Sequence, residues 1–228
     1  MAERVKEMPH VIGYDSLNEP SHGYIGVKDL TDSNWSMFRN GAGPSVFEGM
    51  AAAGGIKTEV ANFVVGRTGI KQSGTVTLNP DQLTVWQDDT DPIWQAHGVW
   101  AVENGNPVLK KPDYFGGANF AQEHMGPFIE RFAAEIRSIH PDTLIFAETA
   151  LNQPMPKLKL DGVVNAGHWY DGMVLLTKTF IPMLGVDIHN GKPVFREKNV
   201  ERSFREQLAH IVQEGAEAYG GPTLLGEY

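Results

Sequence analysis

An α/β fold built on a parallel sheet is predicted by three features of the sequence. Short apolar runs at 11–15, 143–148, 162–166 and 222–226 read as buried strands, and each is followed by polar or ionisable residues. Helical periodicity fills two of the intervals between them. Strands buried on both faces with helices in between pack as a parallel sheet. Periodicity alone does not say whether such a sheet is open or closed. The placement of the chemistry does: Glu19, Glu148, His168 and Glu227 each follow the C-terminal end of a different strand. A (β/α) barrel assembles its site in this way.

Taken in order, residues 3–8 read as the last turns of a helix that Pro9 stops. The strand Val11-Ile12-Gly13-Tyr14-Asp15 follows at once and leads into Ser16-Leu17-Asn18-Glu19-Pro20. A helix tail followed by a core strand reads as the middle of a domain. Residues 21–118 are rich in Gly, Pro, Asn and Thr, with strand-like pieces at 59–65 and 73–78 and with Trp86, Trp94 and Trp100 around an acidic run. So long a stretch with little helical periodicity is expected to be an insertion with small strands of its own, covering the active-site face. Its tryptophans suit either a substrate entrance or a small separate core.

Regular structure resumes after Tyr114. Phe128, Phe132, Ile136 and Ile139, with Ile129 alongside, predict a helix that opens with Pro127 and closes at His140-Pro141. The strand at 143–148 ends on Glu148, and that at 162–166 leads into Gly167-His168-Trp169-Tyr170-Asp171. Val200, Phe204, Leu208, Ile211 and Val212 predict a second helix capped by Asn199. The last strand, 222–226, runs straight into Glu227.

The chain has 228 residues, enough for one large domain or two small ones. Its formal net charge of −9 argues against a nucleic-acid backbone as partner. The absence of Cys excludes disulfides, cysteine nucleophiles and thiolate metal sites. The eight His fall in no metal-ligand spacing, and there is no dinucleotide loop, phosphate loop or nucleophile elbow, so no cofactor and no metal is expected. The charged N-terminus is unlike a secretory signal, and no apolar run is long enough for a transmembrane segment. The absence of a signal peptide and of Cys leans towards a cytoplasmic compartment. Asn34-Trp35-Ser36 fits a glycosylation sequon, which has meaning only in a secreted protein.

Glu19 and Glu227 are the candidate catalytic pair. Two carboxylates across a cleft can divide acid and nucleophile work at a glycosidic bond when their surroundings separate their pKa values. Against this, Asn-Glu-Pro could be a turn and Gly-Glu-Tyr an ordinary surface end. Asn18 offers an amide to a sugar hydroxyl, His168 and Tyr170 can bond sugar or carboxylate, and a Trp169 face can stack on a pyranose ring. The competing reading of that trio is an aromatic core corner. Glu148 fits a cap or an ion pair as well as a site residue.

The stretches Val11–Pro20, Ala166–Asp171 and Pro222–Tyr228 resemble glycoside hydrolase family 5, a family of retaining (β/α)8 glycosidases. The resemblance implies that Glu19, ending the fourth barrel strand, is the acid/base and that Glu227, ending the seventh, is the nucleophile. It implies that His168 and Tyr170 contact sugar and nucleophile. The separation of the two Glu, roughly 200 residues, agrees once a long insertion after strand 4 is allowed. Glu19–Gly26 and Trp94–Trp100 further resemble the branch of steryl β-glucosidases and glucosylceramidases, with endoglycoceramidases close by. The implied substrate is a β-glucoside with a lipid aglycone.

On this resemblance, residues 1–228 are a partial barrel from strand 4 to strand 7, and 21–118 are an insertion within it. Other segments or another chain would complete the barrel. The alternative from a different class is a non-catalytic carbohydrate- or glycolipid-binding barrel remnant, or an inactive fragment of a full-length glycosidase.

Overall fold

The computed structural model describes residues 1–34, 39–66, 69–87, 89–150 and 153–228. Trp35 and Ser36 of the sequon lie outside the described residues. In chain order the elements are α1 (Ala2–Val5), β1 (Gly13–Asp15), β2 (Gly41–Ala42), α2 (Val46–Ala53), β3 (Thr58–Gly66), β4 (Gly69–Leu78), α3 (Ile93–Ala96), β5 (Trp100–Glu103) and β6 (Asn106–Leu109). A π-helical turn, Phe120–Met125, then runs into α4 (Gly126–Ile139). After it come β7 (Leu144–Ala147), β8 (Val163–Asn165), α5 (Gly172–Thr177), β9 (Leu184–Asp187), β10 (Lys192–Phe195) and α6 (Glu197–Tyr219). None of the described helices is long and apolar enough to cross a membrane. Two compact units result, one formed by Met1–Gly23 with Asn119–Tyr228 and the other by Tyr24–Ala118.

The first unit is built on the parallel sheet β1-β7-β8. Gly13 pairs with Leu144 and Asp15 with Phe146, while Ile145 pairs with Val163 and Ala147 with Asn165. The segment 222–226 is not a full strand. It joins β8 through one parallel bridge, Asn165 to Thr223, in which the Asn165 N–H donates to Pro222 O (3.0 Å) and the Leu224 N–H to Asn165 O (2.8 Å). Four segments in the predicted order thus lie side by side and point the same way. β8 is buried throughout, whereas β1 forms an edge, with Ile12 just before it 62% exposed.

α4 packs on this sheet through Met125, Ile129 and Ala133, which meet Ile145, Ala147 and Val163. Of the stripe the periodicity predicts, Ile129 is buried and Phe132 and Ile136 pack against this cluster, but Phe128 does not. Phe128 is 40% exposed and stacks along the helix flank on Phe132, at 6.4 Å between ring centroids. The small Ala133 lets the helix approach the sheet, and the four-residue spacing of 125, 129 and 133 carries the contact.

α6 also departs from expectation at its start. It begins at Glu197 behind Arg196, whose φ of 77° makes it a backbone cap without a side-chain bond, and Asn199 instead donates to Phe195 O at 2.9 Å. The buried face of α6 is Val200, Gln207, Ile211 and Gly215. Asn165, fully buried under this helix, donates from Nδ2 to Ile211 O at 2.7 Å.

The second unit has an antiparallel sheet, β2-β3-β4, and a separate hairpin, β5-β6. Ser45 and Glu48 close α2 with a reciprocal capping box. Leu30, Val46, Met50, Val99 and Trp100 form a core here, with Trp94 and Phe115 against it. Trp100 is 1% exposed, and Trp94 meets Phe115 edge to face at 5.0 Å. These two tryptophans therefore serve the unit's own core.

Gly215 is where α6 comes closest to the end of the chain. A Cβ there would sit 2.6 Å from Thr223 Oγ1 and 2.7 Å from Asn165 Cβ. Gly215→Ala is expected to push α6 off β8 and to cost about 1–3 kcal/mol of stability. A lower urea midpoint for the first unit, read from Trp169 fluorescence, checks this.

Candidate active site

A parallel ladder puts the residues following each strand at one end of the sheet. The pairing continues beyond β8, where the Gly226 N–H donates to Gly167 O and the Trp169 N–H donates to Glu227 O, both at 3.1 Å. Residues 168–170 are thereby held alongside 226–227. Gly226 permits this approach, because a Cβ at that position would lie 2.8 Å from Ala166 O and 3.0 Å from the His168 ring.

His168 stands at the centre. Its Nδ1 is 3.0 Å from Glu19 Oε1 and 3.8 Å from Glu227 Oε2, and its Nε2 is 3.2 Å from Glu148 Oε1. Tyr170 donates its hydroxyl to Glu227 Oε2 at 2.5 Å. One side-chain atom from each of Glu19, His168 and Glu227 lies within 4.8 Å of the other two. So close a set could suit a cation, but the two carboxylates already face His168 and Tyr170. Clustered acids alone do not make a metal centre.

Glu148 is the deepest member, 4% exposed at the end of β7. Its Oε2 accepts the Glu19 N–H at 3.0 Å, and its carboxyl also bonds that of Asp15. Glu19 needs such a hold. Its φ of 41° is left-handed, a conformation costly for a residue with a Cβ, and Pro20 behind it favours extended backbone instead.

Electrostatics follow from this crowding. Burial raises the Glu148 carboxyl to about 7 against the pull of the Glu19 N–H and the His168 charge, with the Asp15 charge adding to the rise. Desolvation also raises Asp15, ahead of the Glu148 and Leu17 bonds that lower it. For His168, burial opposes the charge, yet the Glu19 bond and the charges of Glu148, Glu227 and Glu19 outweigh it and leave the ring raised. The bond to Glu227 pushes the Tyr170 phenol up to about 12, so it stays a donor.

Of the residues expected from sequence, the structure brings together Glu19, His168, Tyr170 and Glu227, with Asn18 exposed beside Glu19. Trp169 is the exception. Its indole donates to Gln207 Oε1 at 3.1 Å and packs on Phe204 at 5.0 Å, both on α6. Alternation along an extended segment explains this, since 168 and 170 face one way and 169 the other. Sequence reasoning did not reach Asp15 or Gln207. Asp15 ends a strand as the others do, so the strand-end pattern itself could have flagged it.

The fold is that of a known glycosidase structure. The crystal structure of Cryptococcus neoformans sterylglucosidase 1 superposes with a TM-score of 0.86 at 24% identity, over 98% of this chain and 38% of that one. Among curated proteins, the chain is 30% identical to a glucosylceramidase of Aspergillus fumigatus, over 94% of this chain and 34% of the relative. It is 26% identical to the ergosteryl-beta-glucosidase of Saccharomyces cerevisiae, over 92% of this chain and 33% of the relative. These homologues are glycoside hydrolases. The chain spans about a third of their length. No protein-family model matches it.

Asp15, Glu148 and His168 all bind protons more tightly folded than unfolded. Such groups stabilise the fold below their unfolded-state pKa and lose that contribution as pH rises through the folded one. Glu148, raised from 4.5 to about 7 chiefly by burial, contributes to that loss across this window. Urea unfolding of the first unit is expected to be hardest near pH 5 and easier by pH 8, with Glu148→Gln flattening the profile. Equal midpoints at both pH values in the parent chain would contradict it.

Proposed function

We propose that this chain carries the catalytic pair of a retaining β-glucosidase of glycoside hydrolase family 5, acting on a β-glucoside with a steryl or ceramide aglycone. The observation that carries the proposal is the approach of Glu19 and Glu227 to within 4.8 Å, at the ends of parallel strand segments, with Tyr170 bonded to Glu227. Retaining enzymes hold their two carboxyl groups about 5–5.5 Å apart, and inverting ones hold them about 6.5–9.5 Å apart. The lipid aglycone is supported by the names of the relatives, which act on glucosylceramide and steryl glucosides.

In this mechanism Glu227 attacks the anomeric carbon as a carboxylate, oriented by the Tyr170 hydroxyl. Glu19 gives its proton to the departing oxygen. A covalent glycosyl-enzyme forms, and water that has lost its proton to Glu19 then releases the sugar with net retention. Asn18 holds the 2-hydroxyl, where bonds strengthen in the transition state. No cofactor takes part. Further strands, from other segments or another chain, pair with the open edge at β1 to complete the barrel.

A second reading keeps the same residues for binding alone. On that reading it is a carbohydrate- or glycolipid-binding barrel remnant without turnover.

An activated 2-deoxy-2-fluoro-β-glucoside separates the two, because the fluorine slows release of the intermediate. The expected outcome is one fluorosugar per chain on the peptide containing Glu227, absent in Glu227→Ala. Glu19→Gln is expected to lower turnover of an alkyl glucoside by about 10²–10⁴-fold. A correctly folded chain that binds glucoside yet takes no label selects the second reading.

A further inference from the structure

We propose that residues 172–198, from α5 through β9 and β10 to the first residues of α6, dock on an anionic lipid bilayer. The exposed apolar side chains of this excursion enter the interface, and its cations meet the headgroups.

The packing of the excursion leaves these side chains over. A Cβ on Gly172, which opens α5, would lie 3.3 Å from Val186 Cβ. One on Gly185 would lie 3.1 Å from Val200 Cγ1 and 3.2 Å from the Phe204 ring. One face of β9 therefore carries α5, and the other rests on α6. Leu175, Phe180, Met183 and Phe195 remain 55–62% exposed. Backbone bonds gather three of them at the open end of the hairpin. Leu184 pairs with Phe195, the Arg196 N–H donates to Met183 O at 3.0 Å, and the Leu184 N–H donates to Ile181 O at 3.0 Å. Single exposed apolar residues are ordinary, whereas several gathered in one short excursion mark an interaction surface.

Charge selects the occupant. Lys178, Lys192, Arg196 and Lys198 stand among these residues, all exposed, and none takes part in an ion pair among the described residues. The anions of the same stretch are engaged locally. Asp187 accepts from the His189 N–H at 2.9 Å and from the Asn190 amide at 2.6 Å, and Glu197 lies in the first turn of α6. The excursion is thus basic in a chain whose formal net charge is −9. A second copy seated on the same patch would set cations against cations. An anionic bilayer offers both an apolar depth and a negative surface.

α5 begins two residues after Tyr170, so docking here brings the candidate pair to a lipid surface. The proposal does not depend on the catalytic reading, because vesicle binding is measured with no sugar present.

Flotation of the chain with phosphatidylcholine vesicles containing about one third phosphatidylserine tests it. The chain is expected to float with these vesicles at low salt and about tenfold less with pure phosphatidylcholine. The triple variant Phe180→Ser, Met183→Ser, Phe195→Ser is expected to bind about tenfold more weakly or worse, with an unchanged urea midpoint because the replaced side chains are exposed. The variant Lys178→Gln, Arg196→Gln, Lys198→Gln is expected to lose the preference for anionic vesicles.

No flotation of the parent chain, equal binding to both vesicles, or a Ser variant that binds like the parent overturns the proposal. So does a dimer in light scattering that the Ser variant dissolves, which assigns the patch to a second copy. Fluorosugar labelling without flotation keeps the catalytic reading and discards the docking, and flotation without labelling does the reverse.

Discussion

Parallel pairing in register is the constraint on which the site depends. Asp15 pairs with Phe146 and Ala147 with Asn165, so residues just beyond each strand emerge at one level. Two further bonds, from Gly226 to Gly167 and from Trp169 to Glu227, extend the ladder past the last regular strand. A slip of one residue would exchange His168 for Trp169 at the centre, because side chains alternate along extended backbone. Glu19, Glu148, His168 and Glu227 meet because four segments distant in sequence share this level.

Within that frame, buried polar groups do the finer placing. Gln207, 2% exposed on α6, accepts from the Trp169 indole, and its own amide donates to Ser203 Oγ at 2.9 Å. Trp169 is thereby tied to the helix, and His168 and Tyr170 on either side of it turn to the opposite face. Asn165 ties the end of β8 to the same helix through Ile211 O. A polar residue at the apolar face of α6 is costly when unpaired and directional when paired. Here it sets the orientation of the segment that carries the chemistry.

Much of the first unit was legible in the amino-acid sequence. Apolar runs located β1, β7 and β8 to within a few residues, and helical periodicity located α4 and α6. Which face of α4 is buried was not legible. Phe128 and Ile129 are both apolar, and contact with Ile145 and Val163 selected Ile129. In the second unit, β3 was read nearly to its bounds and β4 only over 73–78, whereas α2 and the hairpin β5-β6 were missed despite local signals. Ser45 and Glu48 form a capping box, and Asn104-Gly105 supplies the positive φ values, 51° and 80°, that a tight hairpin turn needs. The hairpin β9-β10 carries an Asn190-Gly191 signal of the same kind, with Gly191 at φ 67°.

By itself the sequence determined which residue types stand at strand ends, because apolar runs followed by ionisable groups are a local pattern. It thereby named Asn18, Glu19, His168, Tyr170 and Glu227 as candidates and gave Glu148 a competing role as a cap or ion pair. The tertiary structure alone decided that Glu148 lies beneath His168 and Glu19, that Trp169 faces α6, and that one atom each of Glu19 and Glu227 come within 4.8 Å. Those relations join residues 20 to 208 positions apart. Pairing register and helix packing create them, and no window of neighbouring residues encodes them.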